Sequence, residues 1–355
     1  MTRAPEPLAP ASRVRFGPFA VRRRNGRALI GWADGSEWLE VDALGAEVVE
    51  RLDRGLTIDE VQTQVARETG QPVDVLIFAR ELQALGLVAS VDGEAGSQRL
   101  EPPTSQPERG WAWGLFALCS SAAIGYVAWA FASGALPVPG GADLLVPGLP
   151  LPVALLVWGG ATVGVLIVHE AAHVVVGRAC RLRTRVRLRR RAVWLVAETD
   201  LTGVWGLERP RRWRPIAAGL MADGTLLAAA VLFLQIAPEG GVPAALVRMV
   251  AGVLVAHVLW QCQWYLRTDL YYMMCVVVDA FTLRRTAWLL ARRLVGRAPA
   301  DAAEELAATP AGEVRAAKVY LLSLIPAAAA SVALWWWVLL PVAAQLWRAV
   351  AGGAA

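Results

Sequence analysis

Residues 151–176 read LPVALLVWGGATVGVLIVHEAAHVVV. No charged residue occurs from Leu144 to Val168, so this stretch is long and apolar enough to cross a bilayer as a helix. Near its end stands His169-Glu170-Ala171-Ala172-His173. On a helix the two histidines are one turn apart on one face, so both imidazoles can reach a single Zn2+ while Glu170 points at a water beside it. That is the arrangement of a zinc peptidase. Ionisable side chains inside a span are costly and mark function by default. The alternative is a buried histidine pair satisfied by a neighbouring glutamate. Against it, two of the three histidines in the chain fall in this one motif.

The composition points the same way. With 56% hydrophobic residues among 355 and a mean hydropathy of +0.44, the chain reads as an integral membrane protein with room for one soluble domain. This excludes a secreted enzyme. The opening MTRAPEPLAPASRVRFGPF lacks the apolar core of a signal peptide, so residues before the first span are expected in the cytoplasm. Cys119, Cys180, Cys262 and Cys275 form no CxxC pair, which argues against a disulfide framework and a thiolate metal site. The net charge is +5, but residues 1–91 hold eleven Arg against thirteen Asp or Glu. Despite Arg22-Arg23-Arg24, no nucleic-acid surface is expected there. Between Arg178 and Arg214 twelve arginines meet only Glu198, Asp200 and Glu208, whereas Asp143 is the sole charge in residues 132–152. Such asymmetry places the basic segment in the cytoplasm.

Residues 13–91 read as a small α+β domain. Residues 13–21, 27–30 and 37–41 alternate like strands, with Asp34-Gly35 as a hairpin turn between the last two. Three helices should follow. Asp42 caps one through Leu52, Thr57 and Glu60 form a capping box for one through Glu68, and residues 71–85 carry Val73, Leu76, Ile77, Leu82 and Leu85 on one side. Leu87, Val88 and Val91 then form a closing strand or wing.

Three stretches give this block a resemblance: VDALG at Val41–Gly45, LDRGLT at Leu52–Thr57 and ELQALGLV at Glu81–Val88. It resembles the PqqD-like leader-peptide recognition domain, a small winged helix-turn-helix from the biosynthesis of ribosomally made, modified peptides. The resemblance implies a precursor peptide as partner, its leader adding as a strand to the domain's sheet. A purely structural cap is the bland alternative. Residues 92–110, rich in Gly, Pro, Ser and Glu, read as a flexible linker.

The membrane half, residues 111–355, should contain about five spans: residues 111–131, 152–176, 216–236, 249–266 with an extension to Phe281, and 319–347. With the N-terminus inside, residues 178–214 and 281–318 are both cytoplasmic. Arg183, Arg185, Arg187 and Arg189 alternate with Thr184, Val186 and Leu188, a strand pattern for which residues 192–196 can be the hairpin partner. A solvated basic loop on anionic lipid is the alternative.

Depth selects further site residues. If the second span begins at Leu151, His169 and His173 lie about 27 and 33 Å along it, near the cytoplasmic face of a core about 30 Å thick. Counted from Arg248, Asp269 lies about 32 Å down and His257 about 14 Å. On this count Asp269 reaches the histidines and His257 is an interior hydrogen-bonded residue.

These positions are similar to the site-2 protease family of intramembrane zinc metalloproteases, over roughly residues 150–285. That family pairs HExxH on one span with an Asp, usually in LDG, on a later one. The resemblance implies His169, His173 and Asp269 as zinc ligands and Glu170 as general base. Gly219-Leu220-Met221-Ala222-Asp223 stands for the family's GPxxN element, with Asp223 in place of Asn. Asp269 lies in Arg267-Thr268-Asp269-Leu270-Tyr271, without the glycine of LDG, and Asp223 is the alternative third ligand. The likeness is closest to the subgroup encoded with peptide-natural-product genes.

Together these readings describe a polytopic α-helical protein of the cytoplasmic membrane with an N-terminal winged-helix domain. Its expected activity is that of a zinc endopeptidase, which holds a precursor peptide by its leader and cuts it near the cytoplasmic face. A regulatory intramembrane protease acting on a membrane-anchored transcription regulator is one alternative. A non-catalytic export or immunity component is another. Tyr271 and Tyr272 are weak candidates for stabilising an oxyanion.

Overall fold

The computed structural model describes residues 7–17, 19–24, 27–32, 38–70, 72–92, 110–191, 194–237 and 241–352. They divide into two compact units: the described residues up to 92 with 180–183 and 201–208, and the remainder. The expected turn at Asp34-Gly35 and nearly all of the expected linker at 92–110 lie outside the described residues.

In the first unit, β1 (Val14–Phe16) pairs antiparallel with β5 (Val88–Val91), and β2 (Phe19–Arg24), β3 (Arg27–Trp32) and β4 (Trp38–Asp42) form a three-stranded sheet in that order. The single strand expected at 13–21 is thus two strands serving two sheets. Helices α1 (Ala43–Asp53), α2 (Ile58–Thr69) and α3 (Val75–Ala84) follow, each opened by a side-chain cap. Asp42 accepts from the Gly45 amide and Thr57 and Glu60 make the reciprocal capping box, each satisfying amides that a helix start leaves unpaired. The Thr57 amide holds the Glu60 carboxyl below its ordinary range. Asp74, accepting from Ile77, starts α3 later than the expected residue 71. Val48, Val49 and Leu52, with Ile58, Val61 and Val65 and with Val75, Ala79 and Leu82, recur at helical spacing and close one core with Phe16, Phe19 and Ile30. The 3-10 turn Thr202–Gly206 packs on β3 and β4, where a Cβ on Gly206 would lie 2.5 Å from the Trp38 ring. Only glycine fits there.

In the second unit come α4 (Gly110–Ala132), α5 (Leu151–Ala179), the hairpin β6 (Arg185–Arg191) and β7 (Trp194–Asp200), α6 (Arg209–Ile236), α7 (Val242–Gln261), α8 (Asp269–Val277), α9 (Leu283–Leu294), α10 (Ala302–Ala308) and α11 (Ala311–Gly352). Five of these, α4 to α7 and α11, are long and apolar enough to cross a membrane. α6 is the central helix: 61% of its apolar stretch is buried, against 11–28% for the other four, and it packs on α4, α5, α7 and α8. The alternation of the basic segment does make a hairpin, in which Arg189 pairs across the strands with Glu198 at 2.9 Å.

The fourth span departs from expectation. It begins at Val242, behind Gly241 in a left-handed conformation (φ 89°) and Pro243 in the first turn, rather than at residue 249. Arg248 lies exposed inside it instead of marking its edge; a long guanidinium side chain can reach an interface from within a span. It also ends at Gln261, with no continuous extension to Phe281. After a 3-10 turn at Trp264–Leu266, Arg267 turns left-handed (φ 60°) and Thr268 is extended before α8 starts at Asp269.

Candidate metal centre

Four elements of the second unit converge on the HEAAH turn. α5 presents His169 and His173 four residues apart, both buried, with their Nε2 atoms 3.1 Å from each other. α8 brings the Asp269 carboxylate to them, its Oδ2 being 3.0 Å from each Nε2. α6 supplies the backing: His169 Nδ1 is 2.8 Å from Asp223 Oδ2 and His173 Nδ1 is 2.7 Å from the Pro215 carbonyl oxygen. That approach is possible because residue 219 is glycine. A Cβ there would stand 2.4 Å from His169 Cε1 and 2.5 Å from His173 Nε2.

On neutral rings, the partners decide where the protons are. A carbonyl only accepts, so His173 Nδ1 donates to Pro215, and His169 Nδ1 donates to the Asp223 carboxylate. A neutral imidazole carries one N–H, so both Nε2 atoms present lone pairs. Two lone pairs and a carboxylate oxygen thus face one another within 3.1 Å with no proton of their own between them. Acceptors crowded in this way in a buried place fit a cation, and His169, His173 and Asp269 could hold a metal ion.

A second group, His169, Asp223 and His257, also meets the distance requirement. One neutral ring cannot offer lone pairs on both nitrogens. Use of His169 Nε2 in the first group therefore excludes the second, and Asp223, wholly buried on the Nδ1 side, orients His169. His257 lies closer than its depth along a span from Arg248 implied, its ring centre 4.6 Å from that of His169 and its Nδ1 3.2 Å from Asp223 Oδ2. The span's earlier start and the break after Gln261 correct that count.

Glu170, also buried, takes a hydrogen bond of 2.6 Å from the Thr199 hydroxyl on β7. Gln261, the last residue of α7, sits between α7 and α8. Its Oε1 accepts from the Asp269 amide at 3.2 Å, which turns its Nε2 towards His169 Nε2 at 3.3 Å. Thr268 further ties the turn by donating to the Gln261 carbonyl at 2.7 Å. Sequence reasoning missed Thr199, Pro215 and Gln261. A signal existed for one of them, since His257 and Gln261 are polar residues one turn apart in an apolar span. Tyr271 packs edge-on against Tyr272 and Tyr320, and the Tyr272 hydroxyl accepts from Arg267 at 3.0 Å. Both tyrosines are thereby occupied in packing.

The fold and the site define a polytopic helical membrane protein with a buried His/Asp cluster able to hold a metal ion. No family model, curated protein or solved structure matches the chain, so its function is argued from this geometry.

Proposed function

We propose that the protein is a membrane-embedded zinc endopeptidase of the site-2 protease type, which binds a ribosomally made precursor peptide by its leader and cleaves it near the cytoplasmic face. The observation carrying this reading is the meeting of two imidazole lone pairs and the Asp269 carboxylate, with Glu170 one residue from a ligand. Three N/O ligands with an open fourth position is the donor set of catalytic zinc sites, where tetrahedral bonds of 2.0–2.1 Å imply donor separations of about 3.3 Å. The separations of 3.0–3.1 Å are a few tenths shorter and need little movement.

Zinc bound there would supply a Lewis acid that polarises the scissile carbonyl and acidifies water. The remaining work belongs to the chain. Glu170, held by Thr199, takes the proton of the attacking water and passes it to the leaving amine. Gln261 aims an amide donor at the cluster, positioned to receive negative charge developing on the carbonyl oxygen. Asp223 and the Pro215 carbonyl hold the two rings in the required tautomer.

The three-stranded sheet of the first unit, ending on β2 and β4, suits addition of a leader strand at an edge. Arginines concentrated in 178–214, against a nearly uncharged 132–152, favour a cytoplasmic N-terminal domain in the cell's inner membrane. The test is incubation of purified protein with a precursor peptide encoded beside its gene, read by mass spectrometry with and without chelator. Glu170→Gln should keep zinc and lose cleavage by about 10²- to 10⁴-fold. Removing residues 1–92 should raise KM for full-length precursor while leaving kcat nearly unchanged, because leader binding is equal in ground and transition states. Undiminished cleavage by Glu170→Gln, or in chelator, would sink the reading.

A further inference from the structure

Beyond the histidines, the turn after α7, α8 and the start of α9 line a shallow, open basic cleft. It has a volume of about 480 Å³, and its walls include Arg267, Tyr271, Thr282, Arg284, Arg285 and Trp288. The three guanidiniums are unequally answered. Glu305 holds Arg285 in a two-pronged pair at 3.0 and 2.9 Å. Among the described residues, Arg267 and Arg284 have no carboxylate partner. Arg267 instead donates to the Tyr272 hydroxyl at 3.0 Å and lies over that ring at 5.8 Å. Two guanidiniums without a carboxylate partner beside an open cleft of ligand size suit an anion, and guanidinium is the side chain best matched to phosphate oxygens.

α9 indicates which anion. Residues 283–297, LRRTAWLLARRLVGR, contain five arginines and no carboxylate. One side of this helix is buried through Leu283, Ala287 and Leu289, while Trp288, Leu294 and Val295 stand 43, 80 and 64% exposed among the arginines. Arg285 and Arg292 flank the Trp288 ring at 5.6 and 4.9 Å. Exposed tryptophan and aliphatic side chains interleaved with arginine are the pattern of a helix lying in a membrane interface. The chain supports this placement, because α9 falls between the spans α7 and α11. A free anion would have no use for the apolar half of this pattern.

We propose that the cleft binds the phosphate of an anionic phospholipid, with Arg267 and Arg284 on its oxygens and Trp288 beside the headgroup. The site does not depend on peptide cleavage, only on the reading of α7 and α11 as membrane spans that bring α9 to the interface. The test uses the purified full chain, delipidated in neutral detergent and titrated in native mass spectrometry with phosphatidylglycerol, phosphatidylcholine or inorganic phosphate. One phosphatidylglycerol should bind, phosphatidylcholine should not, and millimolar phosphate should fail to displace the lipid. Arg267→Gln with Arg284→Gln should weaken binding about thirtyfold, two arginine–lipid contacts' worth. Arg293→Gln with Arg297→Gln, an equal loss of charge outside the cleft, should leave most of it. Should the first double variant not fold, Arg284→Gln alone, on the exposed side of α9, should cost about fivefold. Equal losses in both double variants, displacement by free phosphate, or undiminished binding without Arg267 and Arg284 would each overturn the proposal.

Discussion

Asp223 in the middle of α6 and Asp269 at the start of α8 both lie within 3.0 Å of the same imidazole, that of His169, but on opposite nitrogens. Their surroundings differ as much as their positions. Asp223 is wholly buried in the middle of a helix packed on several sides, whereas the Asp269 side chain is 17% exposed at the end of an irregular turn. Asp269 Oδ2 also reaches His173, while the His173 Nδ1 partner on α6 is the Pro215 carbonyl. Residue type therefore says little about role at this site. The nitrogen that a carboxylate meets decides whether it shares a metal with the ring or only fixes the ring's proton.

The strongest way to break this comparison is to remove each carboxylate in turn. With Asp269→Ala, zinc affinity in a chelator competition should fall by more than about a hundredfold, since a direct ligand matters more than an outer partner. Asp223→Ala should cost about ten- to a hundredfold and leave the metal bound at high zinc. If the two rank the other way, their roles must be exchanged.

Next in size is Gly219→Ala, which tests whether α6 must touch the imidazoles. A methyl group 2.4 Å from His169 has to push the helices apart, so chemical unfolding should show a loss of about 1–3 kcal/mol. Unchanged stability together with unchanged zinc affinity would mean that the contact is relaxed elsewhere. The smallest effect should come from His257→Ala. It removes one neighbour of Asp223 without touching the Nε2 cluster, so zinc affinity should change by no more than about fivefold, roughly 1 kcal/mol. A loss as large as that of Asp269→Ala would place the ion in the group of His169, Asp223 and His257.

Much of this molecule is legible locally. The spacing of His169 and His173, the caps at Asp42 and at Thr57 with Glu60, and the alternation of Arg185, Arg187 and Arg189 all involve neighbours within four residues, and each has its expected form. Legibility failed where a position was computed over distance. The count from Arg248 assumed that a charge ends a span and that a helix continues, but α7 starts at Val242 and ends at Gln261. That pair of errors put His257 too far from the site.

The sequence by itself determined the five apolar helices and the paired histidines, because hydrophobic length and helical periodicity are properties of a single segment. Only the tertiary structure decided which ring nitrogen each partner meets, that Gln261 meets His169 and Thr199 meets Glu170, and that residue 219 must lack a side chain. Those facts depend on helices far apart in the chain coming within hydrogen-bonding distance, and such contacts leave no periodicity within any one segment.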